Sequence, residues 1–205
     1  MNYGEIKAQV FLGLGDSAPK VSVFQLGEAI DAAQSWIVNT LPSELLQELH
    51  VAETVTITTG GVGPAPANFV KEIVVLDSSG GLYRILSKAD FEMYKGIGTY
   101  DTVCAVSSSG VYISPAPAPA EGFALTYLRS PEYYVINTDG VISYQADTVV
   151  PDFNPTLHQI IVDYAIATAA QQAGDMNLYQ AKMSNAYIAA KGKGAQIDIG
   201  NKSGR

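Results

Sequence analysis

Imidazole and thiol chemistry has few places to start in this 205-residue sequence: His50, His158 and Cys104 are the whole supply. A metal centre needs three or four nitrogen, sulfur or carboxylate donors at close quarters. His50 has one carboxylate at helical spacing, Glu53, and no third donor in sight; the pair straddles the expected end of a helix and reads as a surface contact. His158 stands at the start of an expected helix, where it would pack or cap. A single cysteine excludes a disulfide within the chain and any multi-cysteine zinc site, and Cys104 reads as a half-buried strand residue. Ser17 lies in GLGDS, which lacks the pattern of a nucleophile elbow, and GGVGPAPA at 60–67 lacks the lysine and following helix of a phosphate loop. Asp90 and Glu92 read as two solvated carboxylates in a surface turn. No acid–base, nucleophilic or metal constellation emerges, so the sequence points to no catalytic residue, no cofactor and no enzyme.

With chemistry set aside, the stretch that organises the chain is 155–187, which reads as a helical hairpin turning at Gly174 and Asp175. Leu157, Ile161, Tyr164 and Thr168 recur at helical spacing, widened by Ile160 and Ala165. Ala165, Ala167, Ala169 and Ala170 keep the first arm slim, and the second arm offers Leu178, Tyr179, Met183 and Tyr187 to fill the groove. Gly174 suits the position past a helix end and Asp175 the next cap.

The first fifty residues also read as helical. Tyr3, Ile6 and Val10 form one stripe, ending in the break at 13–19. Leu26, Ile30, Ala33, Ile37 and Leu41 form another over 23–41, with Trp36 beside it as a core residue. Pro42 interrupts, and Ser43 is placed to cap a short helix over 44–49. From Val51 the period changes to two: 55–59, 70–77, 82–86, 102–106, 110–114 and 123–129 read as short strands, with a helical turn at 88–94. GGVGPAPA and PAPAPA at 115–120 read as loops, the second an extended connector or recognition segment. The predicted fold is α+β: a helical core from 1–50 and 155–188, an inserted antiparallel sheet or sandwich over 51–154, and a flexible, glycine-interrupted extension at 189–205. Within the extension AQIDI at 195–199 alternates like a strand that could add to a partner's edge; a frayed tail is the other reading.

Hydrophobic residues make up 47% of the chain and charged residues 16%, a folded composition with apolar surface for a partner to cover. The net charge is −8, and no Lys/Arg cluster precedes the final segment, which argues against gripping DNA through its phosphates. No run approaches a membrane span and no basic-then-apolar signal opens the chain, so it is expected to be intracellular when made.

The order of pieces resembles the head-to-tail adaptor proteins of tailed bacteriophages, also called connector or head-completion proteins. The resemblance rests on the N-terminal helical part, PANF at 66–69, LYRILSKADFEMY at 82–94, VYISPAPAPAEGFALTYLRSPEYY at 111–134 and PTLHQIIVDYAIATAAQQAGDMNLYQAKMSNAY at 155–187. It implies a structural virion protein made in the host cytoplasm. Twelve copies would form a ring below the portal, through which DNA passes without specific binding. Under this resemblance the helical core packs laterally, and the C-terminal extension, with Lys191, Lys193, Ile197, Ile199, Lys202 and Arg205, docks on the portal. Two loops, carrying Gly60, Gly61, Pro64 and Pro66 and then Pro115, Pro117 and Pro119, face a neighbouring subunit or the next tail component. The competing readings are a tail-completion or baseplate-type structural protein and a soluble peptide- or glycan-binding module.

Overall fold

The computed structural model describes residues 1–95, 102–136 and 142–203. The fold is α+β and divides into two units, one of Met1–Glu48 with Pro131–Arg205 and one of Leu49–Ser130.

In the first unit, helix α1 (Tyr3–Leu14) and helix α2 (Val23–Thr40) each begin with a capping box, Asn2 with Glu5 and Ser22 with Gln25, which satisfies amide donors that the first helical turn leaves unpaired. Their buried stripes are Tyr3, Ile6, Val10 and Leu14, and Leu26, Ile30, Ala33 and Ile37. Helix α4 (His158–Gln172) packs against α1, α2 and a fifth helix, α5 (Met176–Ser203). That central position explains its weak amphipathicity: Ile160, Ile161, Val162, Ala165, Ile166, Ala167, Ala169 and Ala170 are all buried, leaving little of its surface wet. Gly13 lets α1 approach so closely that an added Cβ would lie 2.3 Å from Ile166 Cδ1. Gly174 takes φ +83° at the turn, and the Asp175 carboxylate accepts from the Leu178 amide (3.0 Å) and the Ser17 hydroxyl (3.0 Å).

Several expectations change here. Among the described side chains of α5, those that close fully against the core are Ala186 and Ala190; Tyr187 stays half-exposed with its ring edge on Trp36. Alanines on both helices bring the backbones together, so the larger groups flank the seam instead of filling it. Trp36 is half-buried, stacked on Tyr164 at 4.7 Å, and is not a core residue in the full sense. The segment expected as a helix after Pro42 forms two 3-10 turns, Ser43–Leu45 and Gln47–Leu49, and Pro42 rather than Ser43 stands at the cap of the first. Leu46, which separates the two turns, and Leu49, which ends the second, are both buried. Residues 131–154 contain a hairpin that the sequence did not announce, β8 (Tyr134–Ile136) with β9 (Ile142–Tyr144).

The second unit is a sandwich. One sheet runs β1 (His50–Ile57), β7 (Glu121–Arg129), β3 (Phe69–Leu76), all antiparallel. The other runs β2 (Val62–Gly63), β6 (Gly110–Ser114), β5 (Val103–Ser107), β4 (Arg84–Ile85), with β4 parallel to β5. Val55, Ile57, Val75, Phe123, Leu125 and Tyr127 from the first sheet meet Cys104, Val106, Val111 and Ile113 from the second. Helix α3 (Lys88–Tyr94) covers the far side of β5, where Phe91 packs with Val103 and Ala105. With both faces covered, VCAV can be apolar without alternation.

Candidate interaction surfaces

The two loops that the sequence singled out separately come together in the sandwich unit. Gly61 takes φ +73° in the turn after β1, and the Gly61 amide donates to the Thr58 carbonyl at 2.9 Å. A side chain there would be strained twice over: its Cβ would lie 2.5 Å from the Ile113 carbonyl oxygen and 3.2 Å from Ala116 Cβ. The Ile113 amide donates to the Gly61 carbonyl (2.8 Å), so β6 holds the glycine turn at the point where it passes into the PAPAPA connector. GGVGPAPA is therefore not wholly irregular as expected. Val62–Gly63 pairs with β6 because the turn at Thr58–Gly61 aims it there, before the prolines stop the ladder.

Gly60, Gly61 and Val62 then line one side of a cleft of about 300 Å³, with Ser114 and Ala116 beside them and Phe91, Glu92, Lys95 and Tyr112 opposite. Pro64, Pro115 and Pro119 are exposed, Pro117 is half-buried, and Pro66 is buried, so the five do not form one face. At the rim Glu92 pairs with Lys88 (3.2 Å) and Lys95, which hold its carboxyl below the usual range, Lys95 first. The Lys88 ammonium sits over the Tyr112 ring, 2.7 Å from its centroid. Tyr112 is held below its ordinary range by its hydrogen bond with Ser109 and then by Lys88. Glycine backbone, an aromatic and a charged rim suit contact with another polypeptide; this cleft brings no nucleophile to a base. The spacings Lys88–Glu92 and Glu92–Lys95 were available in the sequence as helical ion pairs. Tyr112 arrives through strand pairing and left no local signal.

The other candidate group does not follow its expected backbone. Helix α5 continues to Ser203, so Ile197, Ile199 and Lys202 lie on helix and AQIDI is not extended. Alanine, glutamine and lysine favour helix, and each interior glycine costs only about 1 kcal/mol relative to alanine. Arg205 lies outside the described residues. Lys191 is exposed, whereas Lys193, two residues on and therefore about 200° round the helix, lines a different cleft of about 210 Å³ with Glu44, Gln47, Glu48, Asn154 and Thr156. The structure separates these two lysines.

The residues that opened the chemical question are placed plainly. His50 and Glu53 both lie on β1, so they do not straddle a helix end; three residues apart on a strand, they point to opposite faces. His158 is buried: its Nδ1 faces the Met1 amino group at 2.8 Å and its Nε2 the Phe153 carbonyl at 3.0 Å. An ammonium can only donate and a carbonyl can only accept, which fixes a neutral ring carrying its proton on Nε2. Burial lowers the His158 pKa, with the Phe153 bond opposing and the amino group adding to the effect. Cys104 is fully buried rather than half-buried, and burial pushes its thiol up to about 12. Among the described residues no three His, Cys, Asp or Glu side chains gather as a metal site, and no helix is long and apolar enough to cross a membrane.

A family model described as SU10 adaptor protein matches residues 1–201. No curated protein matches the chain.

Proposed function

The chain belongs to the SU10 adaptor protein family, a phage head-tail adaptor family, and from that premise we propose that its copies form a ring, of twelve subunits, joining the portal at the capsid vertex to the tail. The coarser role follows from the family: a structural protein of the virion that contacts other virion components. The observation that carries the reading is the reach of the match, 1–201 of 205 residues, across both units.

In the ring, DNA passes through a lumen whose walls repel it; the net charge of −8 supports this. Exposed Phe11, Leu12, Val23 and Phe24 at the adjoining ends of α1 and α2, and Tyr187 and Ile188 on α5, supply apolar surface for lateral packing between copies. The segment from Lys191 through Arg205, which takes in the end of α5, docks on the portal. The cleft edged by Gly60, Gly61 and Ala116 receives a neighbouring subunit or the next tail component.

The test is to mix the full chain, and a variant lacking 195–205, with portal-bearing heads and image the product by negative stain. Stopping at 194 spares Ala186 and Ala190, so the variant keeps its buried seam. The full chain is expected to add a ring at the portal and the variant to remain folded but unattached. A full chain that stays monomeric with portal present overturns the ring and favours a soluble binding module; a variant that joins normally overturns the docking role.

A further inference from the structure

The first unit buries two polar groups that no described residue satisfies: Gln34 Nε2 and the Tyr133 hydroxyl. Both residues are fully closed to solvent, at 0% exposure. Folded proteins rarely leave such groups alone, and these two belong to one cluster. Gln34 projects from α2, and its Oε1 accepts the Tyr3 hydroxyl at 2.9 Å. The Tyr3 ring packs on the Tyr133 ring at 4.5 Å between centroids, and Tyr144 packs on Tyr133 at 5.1 Å. The bond to Gln34 sets Tyr3 against α2, and the Tyr144 ring lies 2.5 Å from where a Cβ on Gly27 of α2 would be, so the three rings gather along one stretch of α2.

Turning the Gln34 amide over does not remove the problem. Nε2 would then donate to Tyr3 and Oε1 would be left in its place, one polar atom still unmet. Nor does any rotation of the Tyr133 hydroxyl help, because among the described residues its oxygen has no hydrogen-bond partner. What satisfies both must accept from Gln34 Nε2 and either accept from or donate to the Tyr133 hydroxyl, must lie inside a region where Ile30, Ala33 and Ile37 are also closed to solvent, and must therefore be very small.

We propose that a single internal water bridges Gln34 Nε2 and the Tyr133 hydroxyl, with the Tyr3 hydroxyl as its third partner. Internal waters take two to four hydrogen bonds from groups otherwise unmet, and this cluster offers that number. The bridge ties residue 133, just before the β8–β9 hairpin, to the middle of α2, and so acts as a polar rivet in the helical unit.

The test is a double-mutant cycle in the full chain, Tyr133→Phe and Gln34→Met, read by urea unfolding of the helical unit, with a high-resolution crystal structure of the unsubstituted protein. With the water in place, Tyr133→Phe lowers the folded-to-unfolded ratio about fivefold, and has little effect once Gln34→Met has removed the water's other anchor. Density is expected within about 3 Å of both atoms. A Tyr133→Phe chain as stable as the unsubstituted one or more stable, equal effects in both backgrounds, or an empty map between the two groups overturns the proposal. Should Gln34→Met fail to fold, the Tyr133→Phe measurement and the map decide it.

Discussion

Gly27→Ala is a substitution for which two opposing effects can be weighed. Gly27 lies inside α2, where alanine should stabilise the helix by about 1 kcal/mol. Its added Cβ, however, would lie 2.5, 2.6 and 3.0 Å from three atoms of the Tyr144 ring. Carbon atoms pack at about 3.5–4.0 Å, so the ring must withdraw by roughly 1 Å. Tyr133 at 5.1 Å and Phe24 at 6.1 Å flank that ring, so it cannot withdraw without disturbing them. Overpacking of this kind costs about 1–3 kcal/mol. Tyr144 keeps some solvent exposure, which gives it a partial escape and places the cost near the middle of that range. The net expectation is a loss of about 1 kcal/mol, or about 2–4 °C in the thermal midpoint for a chain of this size. Circular dichroism at the helical band should follow it. The diagnostic is a change of sign: with Tyr144→Ala in the background the clash is gone, and Gly27→Ala should stabilise. If Gly27→Ala stabilises the unsubstituted chain as much as it does the Tyr144→Ala chain, the packing argument is wrong.

Cys104 should resist a thiol reagent such as DTNB in the native protein and react fully in denaturant, because burial both hides the sulfur and disfavours the thiolate; native labelling at the rate of a small-molecule thiol would contradict the packing of β5. For His158 the folded pKa is lowered, so the unfolded chain takes up the proton first. Its stabilising contribution is whole above the ordinary histidine value of about 6.5 and is lost as the pH falls below it. Urea midpoints measured from pH 7.5 down to 5 should therefore decline more steeply in the unsubstituted chain than in His158→Gln, and parallel curves would refute the assignment.

What the sequence made legible was local. The stripes at Tyr3, Ile6 and Val10 and at Leu26, Ile30, Ala33 and Ile37 depend on spacing within one helix, as do Gly174 and Asp175 at their turn, and each appears where its spacing put it. The strands after Val51 could be located but their partners could not, since pairing is set by residues sixty or seventy positions away, such as Val55 with Phe123. The loop at 60–67 was misjudged for the same reason: the hydrogen bonds of Val62–Gly63 come from β6. His50 and Glu53 were placed on a helix end because three-residue spacing is informative only when the backbone is known to be helical. Ala195 to Ile199 shows the converse, an alternating pattern that lies on a helix.

The candidate surfaces differ in how firmly the fold holds them, and this bears on what a partner can read. The Gly60–Gly61 turn and the 115–120 connector are joined through β6, the Gly61 carbonyl receiving the Ile113 amide only two residues before the connector begins at Pro115. Displacing either loop therefore displaces its neighbour, and a partner seated in the cleft contacts a preformed wall, avoiding the ordering cost that a mobile loop would impose. Lys193 is held differently. Its place beside Glu44 and Glu48 depends on α5 staying helical past the buried Ala190, through Gly192 and Gly194, where no neighbouring atom lies within 4 Å of an added Cβ. The helix there is kept by its own hydrogen bonds more than by packing, which is the condition under which a partner can reorganise it on binding at small cost.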